Sequence, residues 1–328
     1  MPDNNTIRIG VVGAGHLGKF HIECIQRIQG FELSGFYDAN KQRADEISST
    51  YNTLAFNSLQ DLLNAVDAVC IVTPTSTHHA LGMECLEAGK HLFIEKPLTD
   101  HPGTSKALAE KLEERKLIGR VGHVERYNPA FIAARNFGLS HPVFIEAHRL
   151  APFNVRGMDV PVVMDLMIHD IDLVLSVIDS EVDHIEANGV GVAGKNADIC
   201  NARITFKNKA VANLTASRIS LKQMRKLRLF QRDQYMAIDF LNHEVQVVKL
   251  LHEEPKDQLS MPIDLPDGMR WIAADTPYIA KHNAIEMELT DFLIAIRGGS
   301  GDGATFRQAA QAVEVAHDIM EQITSYEA

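Results

Sequence analysis

Gly10-Val11-Val12-Gly13-Ala14-Gly15-His16-Leu17-Gly18 joins the first apolar run of the chain to its first amphipathic one. Ile7-Arg8-Ile9, just before it, begins a run of the kind that forms a buried strand, and residues 19–28 after it carry Phe20, Cys24 and Ile28 at helical spacing. Each glycine between strand and helix has its own task. Gly13 permits the tight turn, Gly15 lets the backbone approach a pyrophosphate, and Gly18 lets the helix pack closely on the strand. His16 and Leu17 lie between them, where the unpaired amides of the helix start face the phosphates. A glycine-rich turn alone is weak evidence, and the context it needs is a second strand ending in an acid. Residues 31–38 supply it, with Asp38 standing 20 residues beyond Gly18. A carboxylate there accepts hydrogen bonds from the ribose hydroxyls and repels a 2'-phosphate, and neither Ala39 nor Asn40 adds a compensating cation, so NAD is expected rather than NADP.

The 328 residues are enough for two domains, and 45% hydrophobic with 23% charged residues is ordinary for a globular chain. No segment has the apolar length to cross a bilayer, and the polar start Met1-Pro2-Asp3-Asn4-Asn5 is unlike a signal peptide, so a cytoplasmic location is expected. Cys24, Cys70, Cys85 and Cys200 have no C-x-x-C spacing and read as reduced thiols, with neither disulfide nor zinc expected. The net charge of −11 argues against nucleic acid as a partner, because phosphate backbones select basic faces.

From residue 7 to about residue 122 apolar strands alternate with amphipathic helices, which predicts a doubly wound parallel sheet of the Rossmann type. In such sheets ligands bind beyond the carboxyl ends of the strands. The run 66–72 ends in Thr73-Pro74-Thr75-Ser76-Thr77-His78-His79, which is therefore expected beside the nicotinamide half of the cofactor. Adjacent His78 and His79 diverge in direction and no nearby Cys or Glu completes a metal set, so no metal is expected. The strand 91–94 ends in Glu95-Lys96-Pro97, and the proline restricts Lys96 to an extended backbone at a strand end where the reactive ring should lie. Lys96 is thereby a catalytic candidate.

The glycine fingerprint with Asp38, Thr73-Pro74-Thr75 and Glu95-Lys96-Pro97 together resemble the Gfo/Idh/MocA family, the glucose-fructose oxidoreductase and inositol dehydrogenase group. The resemblance covers nearly the whole chain. It implies NAD(P)-dependent redox chemistry on sugars or polyols, with Glu95 and Lys96 beside the cofactor. It also implies a second, α+β domain with an open, largely antiparallel sheet, and homodimers or homotetramers. Residues 123–130 resemble the corresponding segment of family members that act on UDP-N-acetylated sugars, which makes Arg126 and Tyr127 substrate candidates, with a domain-boundary ion pair as the alternative for Arg126. On a helix read as 164–178, Met164, Met167, Ile168, Ile171, Val174, Leu175 and Ile178 share an apolar arc, and Asp165, His169, Asp172 and Ser176 a neighbouring one about 60° wide. Four residues apart, Asp165 and His169 can touch as a carboxylate-oriented base, although an ordinary solvated face has the same pattern. The resemblance favours the catalytic reading and matches Asp172 to a substrate-contacting acid; Asp170 points elsewhere.

Residues 182–251 alternate as strands, 252–280 read as a long polar connection covering the site, and Tyr278 and His282 near its end are weaker substrate candidates. Two helices, 283–296 and 305–323, close the chain, the second opened by a capping box of Thr305 and Gln308. The division expected is a dinucleotide-binding domain over residues 1–122 and a substrate-binding and oligomerisation domain over 123–328. The activity expected is oxidation of a secondary sugar hydroxyl, and the resemblance around residues 123–130 points to 3-dehydrogenation of UDP-N-acetylglucosamine. Two other classes are open at this point: a glycosidase that uses bound NAD for transient oxidation at C3, and a non-catalytic sensor of dinucleotide and sugar. A sensor needs no base, so Lys96, Asp165 and His169 weigh against it.

Overall fold

The computed structural model describes residues 6–153, 160–192 and 196–324. They fall into two compact units, one running to Tyr127 and taking in Asn283–Glu314, the other Asn128–His282 with the residues from Val315 onward.

In the first unit β1 (Ile7–Val12), β2 (Phe31–Tyr37), β3 (Ala68–Ile71), β4 (His91–Glu95) and β5 (Gly119–Gly122) form a wholly parallel sheet in the order β2-β1-β3-β4-β5. Both faces are covered, as expected for a doubly wound sheet, and the period-2 alternation of the strands divides the apolar residues between two cores. On β4, Leu92 and Ile94 face Leu62, Leu86 and Leu108, which come from α3 (Leu59–Ala65), α4 (His78–Glu87) and α5 (Pro102–Glu114). Phe93 faces the opposite way, into Ile22 and Ile25 of α1 (His16–Arg27) and Ile47 of α2 (Lys41–Tyr51).

The simple cut at 122/123 differs from the observed units because the C-terminal chain returns. Leu289, Phe292 and Leu293 of the helix Ala284–Ile296 complete the core around Phe93, and Phe306 and Ala309 of the helix Phe306–Thr324 complete the core around Ile94. Each such fully buried side chain contributes about 1.5–3 kcal/mol. A parallel sheet must be covered on both faces, and the first 127 residues leave gaps that these two helices fill.

The second unit is a nine-stranded sheet in the order β13-β14-β12-β11-β10-β6-β9-β8-β7. Its strands are β6 (Phe144–Leu150), β7 (Val182–Val190), β8 (Ile199–Phe206), β9 (Val211–Ser217), β10 (Met224–Gln231), β11 (Gln234–Asp239), β12 (Glu244–Leu251), β13 (Ser260–Leu265) and β14 (Gly268–Asp275). Every neighbouring pair is antiparallel except β6 and β9. This unit also holds α6 (Pro129–Asn136) and α7 (Ile168–Val177); of the two C-terminal helices, α8 (Ala284–Ile296) lies in the first unit and α9 (Phe306–Thr324) runs from the first into the second.

Two expectations are corrected. Residues 252–280 are no long connection, because β13 and β14 form a hairpin that extends the sheet. Pro262 is tolerated because β13 is an edge strand, and Pro266-Asp267-Gly268 makes the turn, with Gly268 at φ +122°. The helix read as starting at Met164 opens instead with a π turn over Val163–Met167 before α7 begins. A π turn holds one residue more than an α turn, so the arc drawn through Asp165 and His169 on a straight helix does not hold across that turn.

Candidate functional site

The three fingerprint glycines do separate work in the structure. Gly13 has φ +92°, and a Cβ there would lie 2.6 Å from the Val72 carbonyl oxygen. A Cβ on Gly18 would lie 2.1 Å from the Gly13 carbonyl oxygen, so the third glycine is what lets α1 close on the turn. A Cβ on Gly15 would meet nothing within 4 Å. No packing demand therefore explains Gly15, whereas close approach of a ligand does. Gly15 is also the N-cap of α1 and supplies no side-chain cap, and no acid stands in the first turn, so the helix start is left for an anion. His16 and Leu17 are exposed at this start. A dinucleotide pyrophosphate fits these features.

Asp38 follows β2, with its side chain only 7% exposed. Its Oδ2 accepts from the Ala14 amide at 2.8 Å and its Oδ1 from the Asn40 amide at 2.8 Å. These bonds fix the carboxylate against the glycine turn, where an adenosine ribose would present its hydroxyls. One neighbour was missed in the sequence: Arg43 Nη1 lies 3.5 Å from Asp38 Oδ2, one turn into α2. The cation sought at Ala39 and Asn40 is reached through the helix instead.

The loops after β3 and β4 are joined by His78. Its Nε2 is 2.9 Å from the Thr73 carbonyl oxygen and its Nδ1 3.0 Å from that of Pro97. His78 is 1% exposed, so it ties the two loops together from inside the unit. His79 beside it is half-buried. Thr73 accepts a hydrogen bond from the Thr77 hydroxyl at 2.7 Å, which ties Thr73 to the short 3-10 turn Thr75–Thr77 that follows Pro74. Lys96 stands half-buried just past β4, and its peptide to Pro97 is cis.

The Glu95 carboxylate is bonded to groups of its own unit. Its Oε1 is 2.8 Å from His21 Nε2, and its Oε2 accepts the Lys96 amide at 3.1 Å. Burial opposes charge on this carboxyl, yet the hydrogen bond and charge of His21 and the charge of Lys96 hold it below the usual glutamate range. His21 is fully buried, with its Nδ1 3.3 Å from Cys70 Sγ, and Glu288 of α8 completes the cluster. Sequence reasoning missed His21 and Glu288; the only signal was a titratable side chain on the buried face of each helix.

Arg126 and Tyr127 are both buried in the first unit. Arg126 Nη1 donates to the Asp302 carbonyl at 3.2 Å and to Gln308 Oε1 at 3.3 Å. These bonds brace the loop before α9, the structural alternative open for Arg126, and Thr305 and Gln308 form the capping box there. Tyr127 lies against Asp291, and burial first, then the charges of Asp291 and Glu288, push its hydroxyl far above the usual tyrosine range. A Cβ on Gly303 would lie 2.8 Å from that hydroxyl, so the loop packs on it closely.

In the second unit Asp165 lies on the π turn and His169 and Asp172 on α7. Asp165 and His169 are half-buried, and Asp172 is 1% exposed. Asp170 does point elsewhere: its carboxylate takes a two-pronged bond from Arg149 of β6, Nε to Oδ2 at 3.0 Å and Nη2 to Oδ1 at 2.8 Å. With 3% and 5% side-chain exposure, this pair pins the start of α7 to the sheet and fixes the direction of the residues beside it. Tyr278 is 89% exposed and His282 half-buried.

The resemblance now has independent support. A family model described as "Oxidoreductase family, NAD-binding Rossmann fold" matches residues 7–123, and the "GFO/IDH/MocA C-terminal domain" matches residues 144–235. The chain is 40% identical over 290 residues to UDP-N-acetylglucosamine 3-dehydrogenase of Acidithiobacillus ferrooxidans, 88% of each chain being covered. A solved structure of that enzyme superposes with a TM-score of 0.87 at 35% identity, over 98% of this chain and 99% of the other. This chain is also 32% identical over 203 residues to an inositol 2-dehydrogenase of Rubrobacter xylanophilus, covering 59% of this chain and 58% of that one. The chain belongs to the Gfo/Idh/MocA oxidoreductase family and has its NAD-binding Rossmann domain.

Proposed function

We propose that this chain oxidises a secondary hydroxyl of a nucleotide sugar, C3 of UDP-N-acetylglucosamine. The observation that carries the reading is Lys96 at the carboxyl end of β4, in the same sheet whose β1 ends in the Gly13–Gly18 cradle. The 40% identity to a UDP-N-acetylglucosamine 3-dehydrogenase over 88% of the chain supports the substrate. NAD, when bound, supplies the hydride acceptor. Lys96 donates a hydrogen bond to the reacting oxygen and stabilises its alkoxide character as the C–H bond breaks. His169 takes the hydroxyl proton, and Asp165 orients the imidazole and stabilises its cationic form. Asp172 holds a neighbouring sugar hydroxyl. A π turn under Asp165 supports this assignment, since such turns recur at functional sites.

The working form is a homodimer or homotetramer. One side of the nine-stranded sheet carries an open hollow of about 530 Å³ lined by His148, Leu150, Met224, Arg228 and Tyr235, a surface suited to a second copy. Among the described residues no helix is long and apolar enough to cross a membrane. All four cysteines are free and buried, in keeping with a reducing, cytoplasmic setting.

The test is NADH formation from NAD with UDP-N-acetylglucosamine, beside UDP-glucose, N-acetylglucosamine and myo-inositol. The reading requires NADH to accumulate fastest with UDP-N-acetylglucosamine, with a 3-keto product. Faster turnover of the free polyol would reject the substrate, and sugar consumption without NADH would reject the reaction.

A further inference from the structure

Beneath Lys96 lies a buried group of ionisable side chains that hydride transfer itself does not use. Glu288 on α8 is 2% exposed, and neither carboxylate oxygen has a hydrogen-bonding partner among the described residues. One of those oxygens, a Glu95 oxygen and a His21 ring nitrogen all lie within 4.8 Å of one another. Two carboxylates this close in a buried site do not both ionise readily, and the charge settles on the one with donors. Glu95 has two, His21 Nε2 and the Lys96 amide, whereas Glu288 has none. The other groups facing Glu288 reinforce this division. Cys70 on β3 is a buried thiol pushed well up by burial and then by Glu95 and Glu288, so it brings no positive charge. Asp291, one turn along α8, adds a further anion, already bonded to Arg120 Nε at 3.0 Å and faced by the Tyr127 hydroxyl.

We infer that Glu288 is a positioning residue for Lys96: a carboxylic acid that is neutral, which leaves Glu95 as the single anion of the cluster, and polar, which offsets the burial of that anion, so that Glu95 stays charged, bonded to His21 and holding the lysine. This rests on the reading of Lys96 as the group that meets the reacting oxygen. Burial, followed by the charges of Glu95 and Asp291, drives the Glu288 carboxyl well above the usual range, in agreement with the geometry. Glu288 touches neither substrate nor cofactor in this account; it acts through Glu95.

The experiment is the pH profile of kcat/KM, with NAD and UDP-N-acetylglucosamine, for the full-length enzyme and the variants Glu288→Gln and Glu288→Leu. Gln keeps the shape, the neutrality and a donor, so its turnover stays within about threefold of the unsubstituted enzyme and its acidic limb does not move. Leu removes the polar neighbour, so Glu95 takes up a proton more readily. The acidic limb then moves to higher pH and kcat falls about tenfold or more, with KM for NAD little changed. Loss in Gln as deep as in Leu overturns the inference, because it would mean an ionised Glu288. So does a uniform loss in Leu with an unmoved limb, which is what a merely structural role would give, and so does a stoichiometric divalent metal found in the purified enzyme. Lys96→Met separates the two layers. If it retains turnover, the reading of Lys96 fails; if it is inactive while the Leu limb stays in place, only the role of Glu288 fails.

Discussion

Replacing Gly15 and Gly18 by alanine, one at a time, separates holding the cofactor from holding the fold. At Gly15 the backbone has φ −69° and ψ −158°, an extended conformation that alanine adopts, and the new methyl meets nothing within 4 Å. The substitution therefore costs the empty protein no packing, and restricting the unfolded chain stabilises by about 0.4–1 kcal/mol. The same methyl fills the space a pyrophosphate needs, so NAD affinity should fall about 100-fold, worth about 2.7 kcal/mol. At Gly18 the methyl would lie 2.1 Å from the Gly13 carbonyl oxygen, and α1 must retreat by more than an ångström. Overpacking of that kind costs about 1–3 kcal/mol, and each kcal/mol lowers Tm by about 2–4 °C in units of this size. Thermal unfolding with and without NAD reads both effects, since ligand at about 100 times its Kd adds about 2.7 kcal/mol. Gly15→Ala should leave the empty-state Tm unchanged or slightly raised and abolish the shift given by NAD; Gly18→Ala should lower the empty-state Tm by several degrees. A full NAD shift in Gly15→Ala would refute the cradle, and an unaltered Tm in Gly18→Ala would refute the packing role.

Asp38→Ser should move the NAD to NADP ratio of kcat/KM toward NADP by about tenfold or more, because Arg43, now 3.5 Å from Asp38 Oδ2, becomes available to a 2'-phosphate; an unchanged ratio contradicts the ribose role of Asp38. Arg149→Met alone should lower the unfolding free energy in urea by about 3–5 kcal/mol by stranding the Asp170 carboxylate, whereas Arg149→Met with Asp170→Leu should recover most of it. A double variant no more stable than the single one would show that the pair's charge is not what matters. Glu288 also leaves a mark on stability. Its folded pKa is raised above the ordinary 4.5, so the folded state holds a proton that the unfolded state releases, and stability falls as pH rises from about 4.5 toward the folded value. Glu288→Gln removes that slope, and its Tm relative to the unsubstituted chain should rise between about pH 5 and pH 8; a constant difference would contradict a neutral Glu288.

The first half of the fold was legible because its signals are local. Glycine spacing, period-2 strands and an acid at the end of β2 all lie within a few residues of what they determine. The return of α8 and α9 to the first sheet was not, since an amphipathic helix displays an apolar face without naming its partner. The β13–β14 hairpin did carry its turn signal in Pro266-Asp267-Gly268, but the strands beside it are largely exposed and lack clean alternation. β6 was hidden for a similar reason: Arg149 occupies an inward position, legible only once Asp170 is seen opposite it. At the site, the place of Lys96 could be reasoned from strand ends and a proline, whereas the carbonyls and the glutamine that His78 and Arg126 meet carry no local signal, since Pro97, Asp302 and Gln308 come close only in the fold. Composition is also blind to burial, and nothing in the sequence sets Glu288 apart from an ordinary helical charge, whereas the structure encloses it.

The account stands on Lys96 and His169 serving one chemical step, and turnover of Lys96→Met, His169→Ala and the double variant with NAD and UDP-N-acetylglucosamine tests that directly. Each single change should lower kcat by about 100-fold or more with NAD affinity retained, and the double change should cost far less than the product of the two. Either single variant turning over within a few-fold of the unsubstituted enzyme would contradict it.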